Sequence, residues 1–201
     1  MLTLLMKKLE RKFLLKYDSS QYWKPSVTAD IVLFVPIDES KGEYKLLLIK
    51  RKNYPNKGWW ALPGGFLNEG ETLLEAAYRE LKEETGVKEV FLEQLALYDN
   101  PYRDPRTRII SMAYLGVGEV DDGDIQASDD ASDAGLFSIS YEYIDDIIKF
   151  EFIRKSERLF GKVKICKNVD ISQRYEILCS EGIAFDHINI IANGLEVLLN
   201  R

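Results

Sequence analysis

Gly64-Gly65-Phe66-Leu67-Asn68-Glu69-Gly70-Glu71, followed by Arg79-Glu80-Leu81-Lys82-Glu83-Glu84-Thr85-Gly86-Val87, is the stretch on which the fold turns. Leu74, Tyr78, Leu81 and Thr85 recur at helical spacing and Gly86 is placed to cap them, so a helix is predicted over residues 71–85, entered from a glycine turn. At about 100° per residue, Glu80, Glu83 and Glu84 fall within roughly one third of the circumference, beside the apolar stripe. Carboxylates this close repel one another, and a divalent cation offsets that repulsion. Hard oxygen ligands select magnesium, manganese or calcium over zinc, and such an ion polarises phosphoryl oxygens and positions a water. Gly64 and Gly65 would let the backbone approach metal and phosphates closely. An acidic run of this kind also occurs on ordinary solvated helices, so the wider pattern carries the argument.

Outward from this stretch, residues 28–35 and 43–51 read as strands joined through a turn at 39–42. Two further strands, 87–98 and 108–120, flank a polar loop at 99–107. The acidic segment 121–133 reads as a surface loop, 135–139 as a brief strand and 141–148 as a brief helix. Residues 150–153 and 162–167 suggest an extra β-hairpin with Gly161 in its turn. Ile188, Ile191, Ala192, Leu195, Leu198 and Leu199 mark a terminal amphipathic helix behind Asp186 as its N-cap. At the other end, Leu5, Leu9 and Phe13 form one face of a short packing helix, and 17–25 is a connector. These elements give an α/β fold around a mixed sheet. Residues 1–24 are its N-terminal helix and connector, and 25–201 form one domain.

Composition limits the function classes. With 201 residues and 46% hydrophobic content, the chain can bury a real core. No apolar run approaches the roughly 18 residues that span a bilayer, and Met1 to Met6 is too short for a signal peptide, so a soluble cytoplasmic protein without membrane partners is expected. Cys166 and Cys179 lack metal-ligand spacing and are expected to be reduced, partly buried thiols. A net charge of −6 opposes nucleic-acid binding through the whole surface. His187 is the only histidine and no nucleophile elbow accompanies it, so acid-base and metal chemistry rest on carboxylates.

The full pattern resembles the Nudix hydrolase signature: a glycine, five residues, a glutamate, seven residues, then Arg-Glu-aliphatic-x-Glu-Glu-x-Gly-aliphatic. Gly65, Glu71, Arg79, Glu80, Leu81, Glu83, Glu84, Gly86 and Val87 fill every fixed place. A chance match in a chain of this length has odds on the order of one in ten million. The resemblance implies an α/β/α sandwich and a loop-helix-loop that binds Mg2+, with Mn2+ as the alternative, for pyrophosphohydrolysis. It implies Glu80 and Glu84 as principal ligands, Glu83 as ligand or water-orienting base, and the Gly65 carbonyl as a further ligand. Arg79 would orient a catalytic glutamate, and Glu71 would be structural.

Several weaker runs are similar to the ADP-ribose pyrophosphatase branch: 24–28, 47–51, 60–66, Arg103-Asp104-Pro105-Arg106 and Ala184-Phe185-Asp186-His187. They imply a nucleoside diphosphate derivative as substrate, in first place ADP-ribose cleaved to AMP and ribose 5-phosphate. Arg51 or Arg103 would contact its phosphates, Tyr22 or Trp23 would stack on its base, and a homodimer is possible. The chain departs from that branch twice. Any second catalytic carboxylate would be an aspartate from 127–133, and residues 150–182 look inserted outside the core. Other nucleotide sugars, dinucleotides or triphosphates remain open as substrates. A nucleotide-sensing transcription regulator is the alternative from another class. The intact signature and the lack of a recognisable helix-turn-helix oppose it, although Arg154, Lys155, Arg158, Lys162, Lys164 and Lys167 form a basic stretch.

Overall fold

A computed structural model describes residues 2–127 and 131–201. The elements run α1 (Leu2–Leu14), β1 (Ser26–Asp38), β2 (Glu43–Arg51), β3 (Trp60–Ala61), β4 (Gly64–Phe66), α2 (Leu73–Thr85), β5 (Leu92–Tyr98) and β6 (Ile109–Val117). They continue with β7 (Ala131–Ile144), β8 (Ile147–Arg154), β9 (Glu157–Ile165), β10 (Tyr175–Glu181) and α3 (His187–Leu199). One mixed sheet has the order β10-β9-β8-β7-β2-β1-β6-β5, with β3 paired to β2 and β4 to β1. β1 and β6 run parallel, and the other strand pairs are antiparallel.

Both faces of the sheet are covered, and the strand period explains how. Along β1, Ala29, Ile31, Leu33 and Val35 point into the layer closed by Ala76, Ala77 and Leu81 of α2. Val32 and Phe34 point the other way, towards Ile188, Ile191 and Leu195 of α3. The result is an α/β/α sandwich. Its first helix stands apart: Leu9 and Phe13 are exposed, so the expected packing of that stripe is not met within the chain, and the side chain of Leu5 lies outside the described residues. No helix among the described residues is long and apolar enough to cross a membrane. Cys166 and Cys179 are free and half-buried.

The structure corrects the reading of residues 141–148. Instead of a helix, β7 runs on to Ile144 and returns as β8 through a two-residue turn, with Ile144 paired to Ile147 and Asp145 at φ +56. A second tight hairpin joins β8 to β9 across Lys155 and Ser156, with Arg154 paired to Glu157 and Lys155 at φ +54. Gly161 therefore sits within β9, opposite Phe150, where a Cβ would press into the Ile188 side chain of α3. The expected hairpin is present as β8 and β9, and segment 150–182 extends over most of three strands of the one sheet. Phe150, Phe152, Leu159, Val163 and Tyr175 are buried in the same apolar cluster as α3.

Candidate active site

The site is built where α2 meets the turn before it. Thr72 caps α2 through a capping box with Glu75, and Gly86 closes it in the left-handed conformation. β4 pairs Gly64 with Asp30 and Gly65 with Ala29, which lays the glycine backbone across the helix. Gly64 has φ +154, and a Cβ there would overlap the Ala29 carbonyl. A Cβ on Gly65 would overlap the Glu80 carboxylate. Only glycines let the backbone lie this close to the acidic side chains.

Arg79 organises the carboxylates. Its Nε donates to Glu71 Oε1 at 2.7 Å, its Nη1 to Glu80 Oε1 at 2.6 Å and Glu83 Oε2 at 3.0 Å, and its Nη2 to the Phe66 carbonyl at 3.0 Å. The hydrogen bond with Glu71 does most to hold the guanidinium protonated, and the same bond lowers the Glu71 carboxyl. Burial raises the proton affinity of Glu80, with Arg79 opposing. Glu84 is buried and accepts the Gly64 amide at 2.8 Å. Among the described residues no three acidic, His or Cys side chains converge as a ready-made cation cage, because Glu80 and Glu83 turn towards Arg79 and Glu84 towards Gly64.

A cavity of about 330 Å3 opens beside these groups. Gly65, Glu80, Glu84, Asp30 and Asp104 line it together with Arg51, Lys52, Arg103 and Arg106, and Arg106 is paired with Asp104 at 2.7 Å. Arg51 lies over the Phe185 ring at 4.8 Å, and its Nε donates to the Pro55 carbonyl at 2.9 Å. Glu83 is half-exposed and does not line the cavity. Tyr22 and Trp23 are exposed and lie outside it, which moves the expected base-stacking residues away from the site. Of the aspartates in 127–133, Asp129 and Asp130 fall outside the described residues. Asp133 pairs with Arg154 at 2.7 Å, away from the cavity.

Arg103 lines the cavity, but as part of its buried wall. Its Nε and Nη2 each donate to Asp186 at 2.9 Å, and Nη2 also reaches Asp30 at 3.2 Å. Burial disfavours the guanidinium charge, yet Asp30 and Asp186 outweigh it and hold the group protonated. For Asp30, burial raises the carboxyl, but the charges of His187 and Arg103 and a 2.6 Å hydrogen bond from Ser111 bring it below its ordinary value. Arg103→Ala should therefore lower unfolding stability by about 2 kcal/mol, the cost of leaving both Asp186 and the buried Asp30 without the guanidinium they face. Denaturant melts read this loss, and an unchanged midpoint would contradict the wall role.

His187, also buried, fixes the catalytic turn from the opposite layer. Its Nδ1 accepts the Leu62 amide at 2.9 Å, two residues before Gly64. Burial keeps its proton affinity below the ordinary 6.5 despite the nearby Asp30. The unfolded chain then binds this proton more readily, so the stability it brings is complete above pH about 6.5 and is lost as pH falls from there through the lower value of the folded state. Wild-type Tm should drop between pH 7.5 and 5 by more than that of His187→Gln, which does not titrate. Parallel Tm profiles would remove His187 from this linkage. Phe185, Lys52 and Arg106 were missed as a group by sequence reasoning, because they arrive from distant loops and share no spacing.

Comparison with known proteins agrees with this geometry. The NUDIX domain family model matches residues 28–154. The chain is similar to the ADP-ribose pyrophosphatase of Methanocaldococcus jannaschii, 39% identical over 142 residues, which cover 69% of this chain and 79% of the relative. It is 41% identical over 110 residues to the ADPR responsive transcriptional repressor NtrR of Acinetobacter baylyi, covering 54% of this chain and 43% of the repressor. Among solved structures, the NUDIX domain of Shewanella oneidensis NrtR complexed with ADP ribose superposes with a TM-score of 0.67 at 26% identity, covering 94% of this chain and 98% of that one. The chain belongs to the Nudix family and is a Nudix pyrophosphohydrolase.

Proposed function

We infer that the cavity hydrolyses the diphosphate of ADP-ribose to AMP and ribose 5-phosphate. The observation that carries this reading is the meeting of both charges in one small cavity, which Glu80 and Glu84 line together with Arg51, Lys52 and Arg106. A diphosphate needs both, cationic groups for its own oxygens and carboxylates that would hold a divalent cation.

The donors fit a divalent cation. Glu80, Glu84 and the Gly65 carbonyl are hard oxygens gathered where only glycine backbone fits, and burial raises the proton affinity of Glu80 although Arg79 opposes it. Mg2+ or Mn2+ held there would neutralise diphosphate charge and polarise its phosphoryl oxygens. Glu83, beside them and tied to Arg79, is the proposed further ligand or water-orienting base. Arg79 acts by aiming Glu80 and Glu83. Arg51 is placed to pair with a phosphate, while Arg103 shapes the wall. Similarity to an ADP-ribose pyrophosphatase and to a domain complexed with ADP ribose supports this choice of substrate.

The likeness to a repressor favours a second reading, a domain that senses ADP-ribose without consuming it. A panel at saturating magnesium separates the two. ADP-ribose should show a higher kcat/KM than nucleoside triphosphates or dinucleotides. Binding of ADP-ribose without turnover would favour the sensor, and efficient turnover of a triphosphate alone would reject ADP-ribose as substrate.

A further inference from the structure

Behind the carboxylate cavity lies a second, larger one of about 880 Å3. Phe185 and Arg103 line both, so they form the partition. Phe185 holds φ +53, an uncommon conformation for a bulky residue, with Arg51 over one part of its ring and His187 at 5.5 Å. Trp59 faces the second cavity, and its carbonyl accepts the amide of Arg51, which faces the first, at 2.8 Å. Two hydrogen-bonded neighbours thus serve opposite sides of one wall.

The first cavity balances Arg51, Lys52, Arg103 and Arg106 against Asp30, Glu80, Glu84 and Asp104, whereas the second is net acidic. The second contains Asp99, Glu176 and Asp186, and its single arginine is the Arg103 already committed to Asp186 and Asp30. A phosphate would be repelled there. Neutral donors and acceptors come instead from Asn56, Asn100 and Gln173, and flat apolar surface from Trp59, 41% exposed, and Tyr102, 91% exposed. Aromatic faces with amides beside them suit a nucleobase and its ribose hydroxyls.

We propose that this second cavity is the nucleoside subsite, in which the base of the substrate stacks on Trp59 while its phosphates remain on the far side of Phe185. The inference rests on the diphosphate-hydrolase reading and adds to it the position of the base. Ser172, Gln173 and Glu176 form part of the subsite and lie beyond residues 28–154, the stretch matched by the family model.

Tryptophan fluorescence tests the assignment without turnover. Adenosine and AMP should quench the wild-type signal and ribose 5-phosphate should not, and Trp59→Leu should abolish the quenching although Trp23 and Trp60 still emit. In steady-state assays, Trp59→Leu should raise KM for ADP-ribose about tenfold with kcat within about twofold, as expected for lost stacking. Tyr102→Ala, at a fully solvated position, should weaken adenosine quenching in the same direction and serves if the first variant does not fold. Absent quenching in wild type, quenching that persists without Trp59, or an unchanged KM in both variants would overturn the proposal. If adenosine quenches through Trp59 while ADP-ribose is not hydrolysed, the hydrolysis reading fails alone. If ADP-ribose turns over and neither variant responds, the subsite fails alone.

Discussion

Glu84→Gln should lower turnover at least about a hundredfold while leaving the melting temperature close to that of the wild type. The two halves of this expectation have different physical sources. Turnover falls because a neutral amide is a poor ligand for a hard cation in a site that stabilises phosphoryl charge. The fold survives because the glutamine oxygen can still accept the Gly64 amide that Glu84 accepts at 2.8 Å, and because neutralising one of three crowded acids relieves repulsion. Activity at saturating magnesium and thermal melts on the same preparation check both. Near-normal turnover would remove Glu84 from the proposed metal site.

Removing residues 150–182 and rejoining the ends should abolish cooperative unfolding. Sequence reasoning led to the opposite expectation, a dispensable hairpin outside the core. In the structure the segment supplies Phe150, Phe152, Leu159, Val163 and Tyr175 to the layer beneath α3, and Glu157 hydrogen-bonds both Lys50 and the indole of Trp60. Each buried apolar side chain is worth about 1.5–3 kcal/mol, and their sum rivals the roughly 5–15 kcal/mol that holds a domain together. The excision would also bare the edge of β7. Calorimetry or circular dichroism reads the result, and a sharp two-state melt would show that the remaining sheet folds alone.

What could be read in the sequence was what depends on neighbours in the chain. The helix bearing Glu80, Glu83 and Glu84 was legible because its apolar stripe, its closing glycine and its acidic face all fall within a few turns. The two-sided sheet followed from continuous apolar runs such as residues 29–35, and the terminal helix from its periodicity. Residues 141–148 misled because Tyr141, Ile144 and Ile148 mimic helical spacing, while the real turn, Asp145-Asp146, carries no glycine to announce it. Gly161 misled in the reverse sense. It was read as a turn, yet its small size serves the packing of Ile188 across the layer. Arg103 was legible as a functional arginine but not as a buried one, because its partners Asp30 and Asp186 lie far away in the chain. The aromatic residues follow the same rule: Tyr22 and Trp23 are near the first strand in sequence and outside the cavity in space, whereas Trp59 and Phe185 come to line one cavity only through folding.

We propose that this cavity breaks the diphosphate of ADP-ribose with the help of a metal held by Glu80 and Glu84. Phosphorus NMR of ADP-ribose incubated with the protein tests it most directly, first after chelation, then with magnesium restored, and in parallel with the Glu80→Gln, Glu84→Gln double variant. The account predicts no change under chelation, conversion to AMP and ribose 5-phosphate once magnesium returns, and little conversion by the folded double variant. Wild-type protein that leaves ADP-ribose intact in magnesium, or a double variant that converts it at the wild-type rate, would contradict the claim.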